Sequence, residues 1–380
     1  MNYMSETQVK CNSPIVMVGV LPPPVHGQSL ATKALFGAEI EGVEQVVVEI
    51  RSSKKLDEVG KPSLVKMLGL FGIIYRVIKA RMTSGAEVMY YTAGSAALVP
   101  FVRDIVLLGT LRPFFKRTLI HYHSGGLPDY FGKSKWKSVV ASWVYGRDAW
   151  SLCLSKHTPV PGLAYGAARE IEMPNGLDIP DLKSLESSKE AEVFNILFVG
   201  NLYDDKGVFD LIEAVGIAAE KTQKKLRLSL VGKFPDKKTE KRCYEALEEL
   251  KGKVLFDSPG PRYGDDKWVE FSKADIFAFP TYYRSENLPL VVIEAMGAGL
   301  PILSTNWRGL PSLVEEGSNG FLSAPRDVKK MAENIALLVN DADLCAAMQA
   351  RSRELYLEKF TFARHIEAFG SCFKQAREGL

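Results

Sequence analysis

Short apolar, β-branched runs separated by helical stretches recur along this chain, and the series occurs twice. The first series is Pro14 to Val20, Gln45 to Ile50, Glu87 to Thr92, Thr118 to Tyr122 and Trp150 to Ser155. The second is Asn195 to Val199, Leu226 to Val231, Lys253 to Phe256, Asp275 to Phe279 and Pro301 to Ser304. Such runs fit parallel strands buried on both faces, because parallel neighbours need a crossover connection, usually a helix, and those helices cover the sheet. Between the series, Met173-Pro174-Asn175-Gly176 stops the rhythm, and Ile179 to Glu192 is rich in Ser, Lys, Glu and Asp with nothing to bury. The linker is expected there. At 380 residues the chain suits two cores. The expectation is an α/β protein with two Rossmann-like, doubly wound domains over 1–180 and 190–358. Their carboxyl-terminal strand ends would face a central cleft, where open sheets bind ligands. Residues 359–380 carry Phe362, Ile366, Phe369 and Phe373 at helical spacing, which predicts a terminal helix packing back across the domains.

With 46% hydrophobic and 24% charged residues, collagen-like and disordered classes are excluded. Cys11, Cys153, Cys243, Cys345 and Cys372 are scattered and contain no C-x-x-C pair, so a disulfide framework or zinc site is not suggested and a reducing cytosol fits. The apolar run Ile15 to Leu21 is too short for a signal peptide. The greasy stretches near 64–78 and 96–111 are interrupted by Lys66, Arg76, Arg103 and Asp104, short of the ~20 apolar residues a span requires. A cytoplasmic protein is expected, peripheral on the inner membrane face if its basic half has an anionic partner. Residues 1–180 carry 20 Lys+Arg against 14 Asp+Glu, while the rest carries 28 against 31. Most of the excess lies between Arg51 and Arg147, which reads either as a face for an anionic membrane surface or as a solvated surface. No nucleic-acid partner is expected. On a helical wheel Lys61, Lys66, Arg76 and Lys79 cluster with Val65 and Ile73, while Leu64, Leu68, Phe71, Tyr75 and Ile78 form the opposite side, read as the core face.

The chemistry concentrates in Tyr283 to Ser304, which contains two acids eight residues apart. Pro289 suits a helix start, and Gly297 and Gly299 before Pro301 suit its stop, so a helix is predicted from about Pro289 to Ala298. Glu286 then sits in the preceding loop and Glu294 within the helix. The backbone of Asn287, Leu288, Pro289 and Leu290 would receive an anionic group at the helix N-terminus. A carboxylate accepts two hydrogen bonds from a vicinal diol, so two spaced acids can grip a sugar and a ribose at opposite ends of a nucleotide diphosphate. The plainer reading is a surface glutamate and a loop acid. Against it, Glu294 lies among Val291, Val292, Ile293, Ala295 and Met296, where an unpartnered charge is costly.

Lys206 follows a strand and precedes a helix beginning at Val208, a place where an ammonium can meet phosphate oxygens; a solvated turn lysine is the alternative. Gly27 lies where the first strand meets a helix and would let the backbone approach a phosphate; its neighbour His26 reads equally as a ligand contact or a loop residue. In Thr118 to Gly126, alternation sends His121 and His123 to one face, with His123 at the strand's carboxyl end. His123 is the catalytic candidate, and His121 and His157 are read as structural. No D-x-D pattern lies beside a nucleotide loop, and the carboxylates of the adjacent pairs Asp204-Asp205 and Asp265-Asp266 diverge, so no metal is expected.

The stretch from Glu286 to Glu294 resembles the E-x7-E motif of family 4 retaining glycosyltransferases. The similarity continues through Gly297-Ala298-Gly299-Leu300-Pro301 and Glu316-Gly317-Ser318-Asn319-Gly320-Phe321, and includes Phe198-Val199-Gly200 and Lys206-Gly207 upstream. The resemblance implies a GT-B fold in which Glu286 holds the donor sugar, Glu294 the ribose and Lys206 the diphosphate, with Gly27, Gly200 and Asn201 lining the donor. His123 would lie near the reacting centre. Asn287 stands where the family commonly has Gly, and Asn201 where it usually has an Arg. The implied activity is retaining transfer from a nucleotide-diphosphate sugar to a glycan or lipid-linked acceptor, in bacterial-type polysaccharide or glycoconjugate synthesis, with no cofactor beyond the donor. The alternatives are a non-catalytic GT-B-like binding subunit, prompted by Asn201, and a nucleotide-sugar epimerase.

Overall fold

The structure, a computed structural model, describes residues 14–23, 27–50, 64–182, 190 and 192–379, with the backbone alone at 64–67. Lys61, His26, Cys11 and most of the expected linker lie outside the described residues, as do the side chains of Leu64, Val65 and Lys66. The chain divides into two compact units, Met1–Pro174 with Ala363–Leu380, and Asn175–Phe362. The division falls at Pro174, ahead of the hydrophilic stretch, and the C-terminal residues belong with the first unit.

The first unit runs β1 (Ile15–Val20), α1 (Gly27–Phe36), β2 (Gln45–Ile50), α2 (Leu64–Ser84), β3 (Val88–Thr92), α3 (Leu98–Leu111), β4 (Arg117–Tyr122), α4 (Leu127–Phe131), α5 (Lys135–Tyr145), β5 (Trp150–Cys153) and β6 (Arg169–Glu172). Its six parallel strands are ordered β2-β1-β3-β4-β5-β6. Strand alternation divides the core in two. Val16, Val18 and Val20 enter a cluster with Ile73 and Val77 of α2, Phe101 and Leu108 of α3, and Val144 of α5. Ile15 and Met17 point the other way, into a cluster closed by Phe369 and Phe373. Those two belong to the last helix, Phe362–Glu378, whose apolar stripe packs edge-on against Tyr90 at ring distances of 5.7 and 6.0 Å.

The assignment of the α2 core face needs correction. Leu68, Phe71 and Tyr75, expected inside, are 68%, 69% and 66% exposed, whereas Ile73, expected on the basic side, is buried with Val77. This helix is apolar almost all round, so periodicity cannot decide which stripe meets the sheet. Arg76 helps to fix the orientation by donating to the Glu49 carbonyl of β2 at 3.1 Å.

The second unit runs β7 (Val193–Val199), α6 (Val208–Ala219), β8 (Lys225–Val231), α7 (Lys237–Glu248), β9 (Val254–Asp257), α8 (Gly264–Lys273), β10 (Ile276–Phe279), α9 (Leu290–Gly297), β11 (Ile302–Thr305), β12 (Gly320–Ser323), α10 (Val328–Asn340) and α11 (Ala342–Lys359). Its six parallel strands are ordered β12-β11-β10-β7-β8-β9. The order reverses direction between β7 and β10, the switch point beyond whose carboxyl ends open α/β sheets hold ligands.

Candidate active site

Every element at that switch point is tightly placed. Gly200 follows β7 with a φ of +156° that favours glycine, and its N–H donates to the Val231 carbonyl at 2.9 Å. A 3-10 turn, Asp204–Lys206, follows, and Gly207 (φ +77°) caps α6. A Cβ on Gly207 would overlap the Pro280 carbonyl oxygen, so the turn carrying Lys206 is seated directly against the loop after β10. That loop is fixed in turn: Tyr282 N–H donates to the Asp205 carbonyl at 2.8 Å, and the Trp307 indole N–H to the Tyr283 carbonyl at 2.9 Å.

The fold thereby brings Lys206 and Glu286 together. Lys206 Nζ lies 2.5 Å from Glu286 Oε2, which also accepts from Thr281 Oγ1 at 3.0 Å. The ammonium stands over the Phe279 and Tyr283 rings, 5.2 and 4.7 Å from their centroids. Both charged side chains are largely shielded, at 14% and 10% exposure. An ion pair in such a place must offset the desolvation of two charges, and removing one partner strands the other.

Glu294 is the fifth residue of α9, and Lys267 of α8 donates to its Oε1 at 2.6 Å. Burial pushes the Glu294 carboxyl above the usual carboxylate range, with Lys267 opposing the shift. Its Oε2 is buried and has no hydrogen-bond partner among the described residues. Lys267 and Thr281 escaped the sequence reading. Their signal was faint, because a lysine in the first turn of α8 and a threonine after β10 acquire meaning once their distance to the acids is known.

The α9 start differs by one residue from expectation: Pro289 is the extended N-cap residue and Leu290 the first helical one. Asn287 and Leu288 are buried, and the Asn287 carbonyl accepts from Gly309 N–H at 3.1 Å. Asn201 is exposed in the loop after β7.

The remaining candidates belong to the first unit. Gly27 opens α1, and the next residue, Gln28, donates to the Ala93 carbonyl after β3 at 3.0 Å. His123 follows β4, its ring centroid 4.2 Å from that of His121. His121 is buried against Tyr90, whose hydroxyl lies 2.7 Å from Nδ1, and burial holds its pKa well below the usual imidazole value, helped by the nearby His123 and His365. That is the structural role read for it. His157, exposed in a loop, is not part of this cluster. No group of three or more His, Cys, Asp or Glu side chains suited to a metal ion occurs among the described residues.

Residues 183–355 match the family model described as "Glycosyl transferases group 1". An uncharacterized glycosyltransferase of Haemophilus influenzae is 34% identical over 186 residues, 48% of this chain and 50% of that protein. The capsular polysaccharide biosynthesis glycosyltransferase CapM of Staphylococcus aureus is 26% identical over 231 residues, 60% of this chain and 59% of that one. The matched stretch thus spans about half the length of these curated relatives. Among solved structures, HepE of Anabaena in complex with UDP aligns with a TM-score of 0.72 at 17% identity, covering 95% of this chain and 100% of that one. Sucrose-phosphate synthase of Thermosynechococcus elongatus aligns with a TM-score of 0.66 at 18% identity, covering 97% and 100%. The chain therefore has the GT-B fold, and its second unit carries a glycosyltransferase group 1 domain.

Proposed function

We propose that this protein is a retaining glycosyltransferase of family 4 that moves a sugar from a nucleotide-diphosphate sugar to a glycan or lipid-linked acceptor. The observation that carries the reading is the shielded Lys206–Glu286 pair at the second unit's switch point, with Glu294 one helix further on. Without donor the two charges neutralise each other. A bound diphosphate offers Lys206 a stronger anionic partner, which frees Glu286 to accept hydrogen bonds from the sugar hydroxyls. The Glu294 oxygen with an open acceptor position takes the ribose diol. The relative solved with UDP supports a uridine nucleotide, and the capsular relative supports a polysaccharide-type acceptor.

In the reaction, the bond between the anomeric carbon and the diphosphate oxygen breaks and its electron pair goes to the diphosphate. The acceptor hydroxyl forms the new bond on the same face and gives up its proton to the departing diphosphate oxygen. Charge grows on the leaving diphosphate toward the transition state, where a fixed ammonium stabilises it most. Lys206, Gly27, Gly200 and the backbone from Asn287 to Leu290 are assigned to the donor, and His123 to the acceptor side.

Purified protein should be stabilised thermally by UDP or another nucleotide diphosphate and should release nucleotide from the cognate donor when acceptor is added. Donor binding without turnover, across a broad acceptor panel, would instead favour the binding-subunit reading. Epimerised donor formed without acceptor would point to an epimerase. Turnover is also expected to survive excess EDTA. Complete loss with chelator, restored by magnesium or manganese, would overturn the metal-independent assignment.

A further inference from the structure

The first unit carries an apolar surface that its own core leaves uncovered. On α2, Leu68, Phe71, Tyr75 and Met82 recur at helical spacing on the side opposite Ile73 and Val77, and are 66% to 77% exposed. On α5, Trp136, Val139 and Trp143 do the same, at 53%, 70% and 41%. Between these helices lies α3, which packs against both and exposes Leu98 and Val102. All three helices turn their inner residues into one cluster on the same face of the sheet, so their exposed sides form one continuous outer surface. Scattered single apolar residues need no explanation, but a surface across three adjacent helices does.

Charge identifies what covers it. Residues 64–147 hold twelve Lys and Arg against three Asp and Glu. Asp104 is paired with Arg103 at 2.8 Å and Glu87 with Lys116 at 2.6 Å. Lys79 is exposed beside the α2 stripe, Lys133 and Lys135 are exposed at the start of α5, and Lys137 lies 3.9 Å from the Tyr130 ring centroid. Tryptophan and tyrosine ringed by lysine are the side chains that settle at the headgroup level of a bilayer, while a self-association face is depleted in lysine. Trp143 is held in place by Gly109 of α3, where a Cβ would overlap its ring. The surface is therefore preformed.

We propose that the outer face of α2, α3 and α5 docks this protein on the headgroup region of an anionic lipid bilayer, inserting Phe71, Tyr75, Val139 and Trp136 between basic contacts. No helix of the described residues is long and apolar enough to cross a membrane, so the contact is interfacial. Docking is independent of the transfer reaction, and vesicle binding and turnover on a soluble acceptor can fail separately.

The test is flotation with phosphatidylglycerol-containing vesicles against pure phosphatidylcholine vesicles. The protein should float with the anionic vesicles at low salt and be released at high salt. Lys79→Glu and Lys135→Glu should each weaken partition by about fivefold or more, since a surface cation near an anionic leaflet contributes about that factor. Phe71→Ser with Val139→Ser should abolish flotation while leaving the melting temperature and UDP-induced stabilisation unchanged, since both positions are exposed. Trp136 and Trp143 emission should shift to the blue and be quenched by brominated lipid. Equal partition onto neutral and anionic vesicles would overturn the proposal, as would a lipid-independent dimer that the serine variant disrupts, because the surface would then be a contact between two copies.

Discussion

The two sheets share six parallel strands and differ in where their order reverses: between β1 and β3 in the first unit, between β10 and β7 in the second. The larger difference is in how charge is held near each reversal. Beside the first, Asp104 of α3 is completely buried and saturated, accepting from Tyr91 Oη at 2.7 Å, Gly94 N–H at 2.7 Å, Tyr145 Oη at 2.9 Å and Arg103 at 2.8 Å. Beside the second, Lys206 and Glu286 have mainly each other, and Glu294 keeps an oxygen without a partner. Both arrangements neutralise buried charge. The second leaves an acceptor oxygen open and a single ion pair to exchange, which is what the proposed binding site requires and the saturated network around Asp104 lacks.

The sharpest way to break this contrast is to remove a charge from each side. Asp104→Ala would leave Arg103 unpaired and two buried tyrosine hydroxyls unsatisfied, costing about 3 to 5 kcal/mol of stability. That corresponds to roughly ten degrees in melting temperature, with UDP affinity at permissive temperature unchanged. A variant that keeps its stability but loses nucleotide binding would place Asp104 in the site after all. Lys206→Ala should behave the opposite way. Loss of a preorganised cation at a leaving group costs about 3 to 4 kcal/mol in the barrier, roughly a hundred- to thousand-fold in turnover, with a smaller effect on donor affinity. Near-normal turnover would remove Lys206 from the chemistry.

The same contrast explains what could be read without coordinates. Glu294 announced itself because a carboxylate among Val291, Val292, Ile293 and Met296 conflicts with its surroundings, and such a conflict is visible in one dimension. The doubly wound architecture was visible too, since strands buried on both faces, such as Ile15 to Val20, leave continuous apolar runs. The Lys267–Glu294 pair was not legible, because 27 residues separate its partners and each looks ordinary alone. Nor was the outward turn of Phe71 and Tyr75. In a helix apolar on most sides, the buried stripe is chosen by the neighbouring sheet and by contacts such as Arg76 to Glu49.

A smaller effect is expected at Glu294. Under the proposed role, Glu294→Gln removes the charge from the bond assigned to the ribose hydroxyls and should weaken UDP binding by about 1.5 to 3 kcal/mol, roughly ten- to a hundred-fold by calorimetry. Burial raises this carboxyl's pKa in the folded protein above its unfolded value, so folding favours the protonated form. Its contribution to stability is then present below the unfolded pKa and lost as pH rises through the folded one. The proposed ribose contact needs the ionised form, so nucleotide binding should run oppositely. UDP affinity of the parent should fall on acidification at a pH above the ordinary carboxylate range, and the glutamine variant should lack that step. A step of equal size in both proteins would assign the pH dependence to another group.

The smallest effect should come from Asn201→Arg, which adds a charge to the second site instead of removing one. Asn201 is exposed beyond β7, so a guanidinium there stays hydrated and requires no repacking. An exposed ion pair contributes at most about 1 kcal/mol, so donor affinity should tighten by no more than roughly fivefold, and the gain should shrink as ionic strength rises. In the Lys206→Ala background the same arginine would be the replacement cation near the diphosphate. If it reaches the leaving oxygen, turnover should recover in part; if it touches the diphosphate only in the bound donor, KM should fall while kcat stays at the level of the single variant. The comparison of the two parameters therefore reports whether Asn201 lies beside the breaking bond or merely beside the ligand. No change in either parameter, in either background, would show that the loop after β7 does not reach the diphosphate, and that the charge exchanged on binding is confined to Lys206 and Glu286.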